Sequence, residues 1–579
     1  MAKTDKQSIL VIFGNVLPRK NGSWWRQFDQ VVCPVELKGA VQKRGLLFIE
    51  LETMVLPGSV HQAHTIIDKI IRSVLPNGSR LTKIVSWRGY ELWWMYYDSI
   101  YYQFCLPYTQ YDKLIDFLKD FKKVHLFQPP HPELFRYFLK ARGSKCVIFK
   151  PFLLKNLLPL SLGMWLQIVL SFIYMPWLIL RRPKAMVFTG DKFDEGKDYD
   201  FRYKFIYEEL RSRKIPFVEF IRSLDSIKII LQHAWRRKRP VFYSTAFIKL
   251  VRFFVDPFGR FKLHIAAKEP EDRFWFLVGV HYLNYVKGGI LAIRIMGFFL
   301  RAMGVKAAVI PSAGDRTFHE VLACKTNSIL TVGIQHGASP RYFFVSDFMQ
   351  GFDGSKSLSL DKYGLWSDWW KEYYLKYSST YQNNQLYVAG HMRPLEKENF
   401  QARAENNSGR LRVLFISEQL AAPQEILPFL SVFLAMNDCD LSFKFRPYRD
   451  GFEEWLKKEK PAILNEIKRK TKIFRGSMQE AVYYCDVVVG SYSTAVLEAL
   501  LQLKTPIFFQ TTKWGDYFDI KDWNAQNSFF ALNPQDLVEK VRGSVNISKD
   551  DLKKIQKRFF GDPYRNGSRW VVDEIEKVV

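Results

Sequence analysis

Cysteine is scarce and scattered. The six cysteines, Cys33, Cys105, Cys146, Cys324, Cys439 and Cys485, form no CxxC pair in 579 residues. This argues against a disulfide framework or a structural zinc site and fits a reducing compartment. Acid is also in short supply: 58 Asp and Glu face 85 Lys and Arg, a net charge of +27. Such a charge suits an anionic membrane, a nucleotide-linked substrate or a nucleic acid. Nucleic acid has the least support, because no recognition helix, RNA-binding sheet or zinc-finger signature accompanies the charge. The N-terminal MAKTDKQSILVIFGN lacks the long apolar core and small-residue cleavage site of a secretory signal. There is no short-period repeat, no low-complexity tract and no DxD-like pair at a convincing strand end. Aromatics, by contrast, are plentiful at 16%, and apolar residues suffice for several α/β domains.

Residues 1–150 hold strand-like runs at 9–13, 46–51 and 124–127. The segment KVHLFQPPHPELFRYFLKARGSKCVIF gives a strand, a Pro-rich turn, a helix with Leu134, Phe135, Phe138 and Leu139 at helical spacing, a glycine stop and another strand. The aromatic segment containing Trp93, Trp94, Tyr96, Tyr97, Tyr101 and Tyr102 is expected to be a core helix rather than a ligand or membrane platform. Residues 155–183 stand apart. NLLPLSLGMWLQIVLSFIYMPWLIL is uncharged and, at ~1.5 Å per residue, long enough to cross a bilayer core. Lys155 flanks it on one side and Arg181, Arg182 and Lys184 on the other, which gives no inside-outside asymmetry. Pro159 and Pro176, with Trp165, Tyr174 and Trp177, favour insertion into an interface without crossing over a true span or a buried hairpin.

From 184 to 400 a second α/β pattern runs. KAMVFTGDKFDEGKDYDFRYKFIYEELRSRKIPFVEF is a strand, an acidic loop, a helix and a strand. WRRKRP at 235–240 is a basic cluster suited to anionic lipid or to a solvated helix end. The strand-helix-strand logic repeats at 307–337, ending on QHG. VAGHMR at 388–393 closes the unit, and QARAENNSGR at 401–410 reads as a linker. In the unit at 410–579, LRVLFISEQL runs into a Ser417-Glu418 turn, LSFKFRPYRD ends in a basic loop, and AVYYCDVVVGSYST ends in a hydroxyl-rich turn. These strand ends are expected along one carboxyl edge of a parallel sheet, where doubly wound folds bind ligands. In DVVVGSYSTAVLEALLQLKTPIFFQ at 486–510, three valines suit a strand buried on both faces. A helix beginning near Ser491 would set Ser491, Thr494 and Glu498 on one polar face and turn its N-terminus toward an anion.

The loops GIQHG (333–337), AGHMRP (389–394), KFRP (444–447) and GSYSTAVLEAL (490–500) together resemble those of GT-B glycosyltransferases. The likeness is to the bacterial surface-polysaccharide group that includes Kdo transferases and CDP-glycerol glycerophosphotransferases, and it covers the chain from about residue 184 onward. It implies two Rossmann-like domains facing a cleft, with an acceptor domain at 184–400 and a nucleotide-donor domain at 410–579. The α/β region at 1–150 and the apolar segment at 155–183 are additions. The resemblance places donor phosphate on Ser491, Ser493 and Thr494 and donor hydroxyls on Glu498, with Lys444 and Arg446 neutralising phosphate charge. Gly390, Arg393, Ser417 and Glu418 complete the expected donor set. Arg446-Pro447 departs from the His-Pro of CMP-using relatives, so a CMP-linked donor is not implied. His336 is the candidate general base, and Glu320 either orients it or is the base itself. FDEG at 193–196 resembles the acidic loop of bacterial polysialyltransferases, although it stands well before the QHG loop.

No metal or cofactor is expected, since basic side chains and a helix start can stabilise a leaving nucleotide. The expected partners are a nucleotide-linked donor, a glycan or lipid-linked acceptor and an anionic membrane surface, and not nucleic acid. The expected location is peripheral, on the cytoplasmic face of the inner membrane. The alternatives are a sugar-nucleotide 2-epimerase on the same fold, a non-catalytic assembly protein and a nucleic-acid-binding basic protein.

Overall fold

Three successive sets of apolar, β-branched and aromatic strands build three parallel sheets whose central strands are buried, as such sequences favour. The computed structural model describes residues 6–74, 78–149, 160–189, 203–221, 227–236, 241–258, 269–311, 318–338, 352, 359–393, 395, 409–417, 421–446, 451–512 and 516–579. Lys155, Pro159, the FDEG loop at 193–196, residues 237–240 of the basic cluster, Pro394, residues 401–408 of the linker, Glu418 and Pro447 lie outside them. The first sheet consists of β1 (Lys6–Ile12), β2 (Gln30–Cys33), β3 (Leu47–Glu50), β4 (Phe121–Phe127) and β5 (Lys145–Phe149). Their order is β3-β2-β1-β4-β5.

The helix α1 (Leu162–Arg181) leads into the second sheet. This unit contains β6 (Ala185–Thr189), β7 (Phe217–Ile221), α2 (Ile227–Arg236), β8 (Val241–Phe242), α3 (Ser244–Val255), α4 (Val286–Met303), β9 (Ala307–Val309), α5 (Phe318–Lys325), β10 (Leu330–Ile334), β11 (Lys362–Leu365) and β12 (Leu386–Val388). Its strand order is β8-β7-β6-β9-β10-β11-β12. The third set is β13 (Leu411–Ile416), β14 (Cys439–Lys444), β15 (Lys472–Ile473), β16 (Val487–Gly490), α6 (Thr494–Leu497), β17 (Thr505–Phe509), β18 (Phe530–Ala531) and α7 (Gly567–Glu576). Here the order is β15-β14-β13-β16-β17-β18. Each sheet thus has its first strand near the centre and is wound outward to both sides, which places a crevice at the carboxyl ends of the central strands.

Strand alternation decides which helices cover which face. On β6, Met186 and Phe188 join a core with residues of α1, α3 and α4. Ala185 and Val187 point the other way, into a core with Tyr207, Leu210, Val571, Val572 and Ile575. The last three belong to α7, so the chain leaves the third sheet and ends its path on the second. Arg213 fixes this return with ion pairs to Asp573 and Glu576, both 2.7 Å. Two doubly wound parallel sheets in tandem, with the final helix returned to the first of the pair, are the GT-B architecture.

The aromatic segment does form core, built from short 3-10, α and π turns rather than one regular helix. Trp93 Nε1 donates to the Gly279 carbonyl at 2.9 Å, and Tyr96 stacks on Tyr282 at 5.1 Å. These contacts fasten the first sheet's unit to the helices ahead of β9. Of the six aromatic residues named above, Tyr102 alone is exposed.

Candidate functional site

The third sheet brings three loops to one edge. Pairing of Ile416 with Lys444, Phe415 with Val489, and Gly490 with Phe508 sets the ends of β13, β14, β16 and β17 side by side. Ser417, buried, donates its backbone N–H to the Lys444 carbonyl at 3.1 Å. The Lys444 side chain is buried as well, and its ammonium donates to the Gly476 carbonyl at 2.6 Å. Burial lowers its pKa below the usual lysine range. Lys444 thus braces the strand end, while Arg446, two residues on, is exposed.

The helix after β16 starts later than the sequence suggests. Ser493, in extended conformation, is the N-cap, and its hydroxyl accepts from the Ala495 N–H at 3.2 Å. Only Thr494–Leu497 is α-helical before the chain tightens into a 3-10 turn over Glu498–Gln502. The reason is Tyr492. Its ring is buried against Phe508, Tyr517 and Phe530, and its carbonyl accepts from the Tyr517 hydroxyl at 2.6 Å instead of entering a helical ladder. Ser491 therefore lies ahead of the helix and does not share its face, whereas Thr494 and Glu498 do, four residues apart.

Both of these residues reach the other unit. Thr494 Oγ1 accepts from the Ala338 N–H at 2.8 Å, directly after the QHG loop. That loop is itself held by Trp366, whose indole N–H donates to the Gln335 carbonyl at 2.8 Å. Glu498, 8% exposed, pairs with Arg393 Nη2 at 2.7 Å and lies 3.5 Å from His391 Nε2. Burial alone would raise the Glu498 carboxyl, but Arg393 and His391 outweigh it and hold the group below its ordinary pKa. His391 is wedged edge-on against Trp366 and Phe560, with Nδ1 2.7 Å from the Arg393 carbonyl.

The loop carrying His391 and Arg393 is clamped where the chain crosses back. Gly390 has φ +88°, and a Cβ there would stand 2.4 Å from the Arg565 carbonyl. The Gly567 N–H donates to the His391 carbonyl at 3.0 Å, and the Ser568 hydroxyl to that of Met392 at 2.6 Å. Gly390 thus faces the chain's own returning segment.

On the QHG side, His336 is exposed at the end of β10, and Glu320 is fully buried on α5. Arg393, Thr494, Glu498 and the QHG loop therefore converge on one seam, with Ser417, Ser491 and Ser493 at the adjoining strand ends. The sequence alone does not single out His391, although it stands inside the AGHMRP loop, nor Trp366, which opens the WSDWW run after β11 and carries no specific site signal.

No protein family matches this chain, and no curated protein matches it. Among solved structures it is similar to MurG of Acinetobacter baumannii, at 11% identity over 68% of this chain and 100% of that one, with a TM-score of 0.39. It is also similar to the wall teichoic acid polymerase TagF, at 11% identity over 72% of this chain and 98% of that one, TM-score 0.37. A third is a putative UDP-N-acetylglucosamine 2-epimerase from Listeria monocytogenes, at 10% identity over 68% and 95%, TM-score 0.37. The fold of this chain, read from its own strand orders and its returning last helix, is GT-B.

Proposed function

We propose that this protein moves a sugar or related group from a nucleotide-activated donor to a surface-polysaccharide or lipid-linked glycan acceptor, on the cytoplasmic face of the inner membrane. The observation that carries the reading is the polar seam joining the two doubly wound units: Thr494 to Ala338, and Glu498 to Arg393 beside His391. It lies at strand carboxyl ends, where such folds hold nucleotide-linked ligands. In this reading Ser417, Ser491, Ser493 and Thr494 receive the donor. Arg446 meets its phosphate charge, Lys444 braces the strand end behind it, and Gly390 and Arg393 close the site from the other unit. Glu498, kept ionised, accepts hydrogen bonds from donor hydroxyls.

His336, exposed beside the seam, takes the proton of an acceptor hydroxyl as that oxygen bonds to the donor's transferred carbon. The bond from that carbon to the donor phosphate oxygen breaks, and the nucleotide leaves with the electron pair. Buried Glu320 acts on the position of His336 rather than on the acceptor. No metal or cofactor enters these steps.

The test has two stages. Thermal shift against CMP, CDP, UDP, GDP and TDP identifies the donor nucleotide by the one that stabilises the protein. Turnover with the matching sugar donor then compares two variants. His336→Ala should lower kcat by roughly 10²–10⁴-fold with little change in donor KM, whereas Glu498→Gln should mainly raise donor KM. An unchanged kcat in His336→Ala would remove the assigned base, and epimerised donor without acceptor would replace transfer by 2-epimerisation.

A further inference from the structure

The helices on the outer side of the second sheet present apolar side chains outward as well as inward. Along α1, Gln167 and Ser171 are buried, while Val169, Phe172, Ile173, Pro176 and Leu180 form one outward stripe at helical spacing, with Ile173 64% and Leu180 82% exposed. The Ser171 hydroxyl donates to the Gln167 carbonyl at 2.9 Å and accepts from the Tyr243 N–H at 3.0 Å, just after β8. This side of the helix, which also carries the buried Ile168, Met175 and Leu178, is thus fastened to the α/β unit. Were α1 to cross a bilayer, β8 and α3 would have to follow it into hydrocarbon, where a sheet edge is not tolerated.

The stripe continues onto its neighbours. α1 packs against α2, α3 and α4. Residues of α1, α3 and α4 share one core on the same face of the sheet, so their outer sides face one way. Trp235 of α2 is 93% exposed, and Phe253 and Phe254 of α3 are exposed as well. The exposed line of α4 alternates cation and apolar group: Lys287, Leu291, Arg294, Phe298, Arg301. These four helices contain no Asp or Glu, and each has at least one Lys or Arg. The carboxylate that follows α3, Asp256, is turned inward onto Arg252 at 3.1 Å. Arg181 sits over the Trp177 ring at 4.2 Å, an aromatic-cation pairing suited to headgroup depth.

We propose that this side of the second sheet is a monotopic docking pad for an anionic phospholipid bilayer, with α1 lying along the interface and α2, α3 and α4 beside it. Charge complementarity selects this occupant. A two-fold contact with a second copy would set one acid-free basic pad against another, whereas an anionic bilayer offers hydrocarbon to the apolar stripes and headgroup charge to the cations around them. The proposal goes beyond the transfer chemistry and does not depend on it.

Full-length protein is sedimented with vesicles of phosphatidylcholine alone and of phosphatidylcholine mixed with phosphatidylglycerol. The wild type should bind the mixed vesicles and be released by salt. Phe298→Gln and the pair Arg294→Gln/Arg301→Gln, which leave α1 untouched, should each weaken binding, the pair by roughly tenfold or more, with unchanged melting temperature. Four outcomes would overturn the proposal: α4 variants that bind like the wild type, salt-resistant binding to both vesicle types alike, bound protein that resists alkaline carbonate extraction, or a lipid-independent dimer that Phe298→Gln dissolves.

Discussion

The second and third sheets share their winding order through six strands, yet the helices around them meet their surroundings in opposite ways. Around the third sheet, helices such as Pro534–Gly543 and Lys549–Phe560 carry acid in the first turn and base in the last, as the helix dipole favours. Their surface is laced with pairs such as Arg542 with Asp438 at 2.9 Å and Lys470 with Glu466 at 2.9 Å. Around the second sheet, α1 to α4 contain no Asp or Glu of their own and leave apolar side chains outward. Winding order decides where the seam lies, and the outer helices are free of that constraint.

The comparison is tested most severely at the seam, where both units contribute to one ion pair. Arg393→Ala leaves the Glu498 carboxylate buried without its closest cation and should cost about 3–5 kcal/mol at neutral pH, read from urea unfolding midpoints. The pH dependence follows from the depressed Glu498 pKa. In the wild type its stabilisation is present above the unfolded carboxyl value and is lost as pH falls through the lower folded value. In the variant burial acts unopposed by Arg393, so the gap between the two proteins should narrow on acidification. A constant gap from neutral pH to about 4 would show that the carboxylate does not depend on Arg393 for its charge.

A smaller effect is expected where the chain crosses back. Gly390→Ala combines a positive φ with a Cβ 2.4 Å from the Arg565 carbonyl, and should destabilise on the order of 1–3 kcal/mol. Wild-type stability in this variant would mean that the crossing is free to shift. The smallest effect belongs to the third unit's surface. Arg475 makes two 2.9 Å bonds to Glu453 but is largely exposed, so Arg475→Ala should cost only about 0.2–1 kcal/mol and less in high salt. A larger loss would contradict the view that these pairs serve solubility more than cohesion.

Much of this arrangement was legible in the residues. VVVG as a strand, the Ser-Thr turn after it and the alignment of strand ends along one edge all follow from local pattern, because burial on both faces demands β-branched runs. The start of α6 was not, because it depends on Tyr492 finding Phe508, Tyr517 and Phe530, contacts remote in sequence. Nothing in the AGHMRP loop marks out His391, since only the fold brings Glu498 to it. The apolar run at 162–181 announced a helix but not which side of it faces outward; Gln167 and Ser171 acquire meaning only once Tyr243 is seen beside them. The destination of α7 was likewise hidden. An amphipathic helix records that it covers something, and Val571, Val572 and Ile575 fit either sheet equally well by composition.

That destination has a consequence for the order in which the molecule can be made. The core formed by Ala185, Val187, Tyr207 and Leu210 is closed by α7, which is synthesised after every strand of the third sheet. Until α7 arrives, that face of the second sheet is covered only in part, by Tyr203, Ile206, Tyr207 and Leu210. Assembly of the earlier unit is therefore deferred until residues 567–576 are free to fold back, a long-range closure expected to be slow. Shortening the chain ahead of α7 would strip the second sheet's unit rather than the third's.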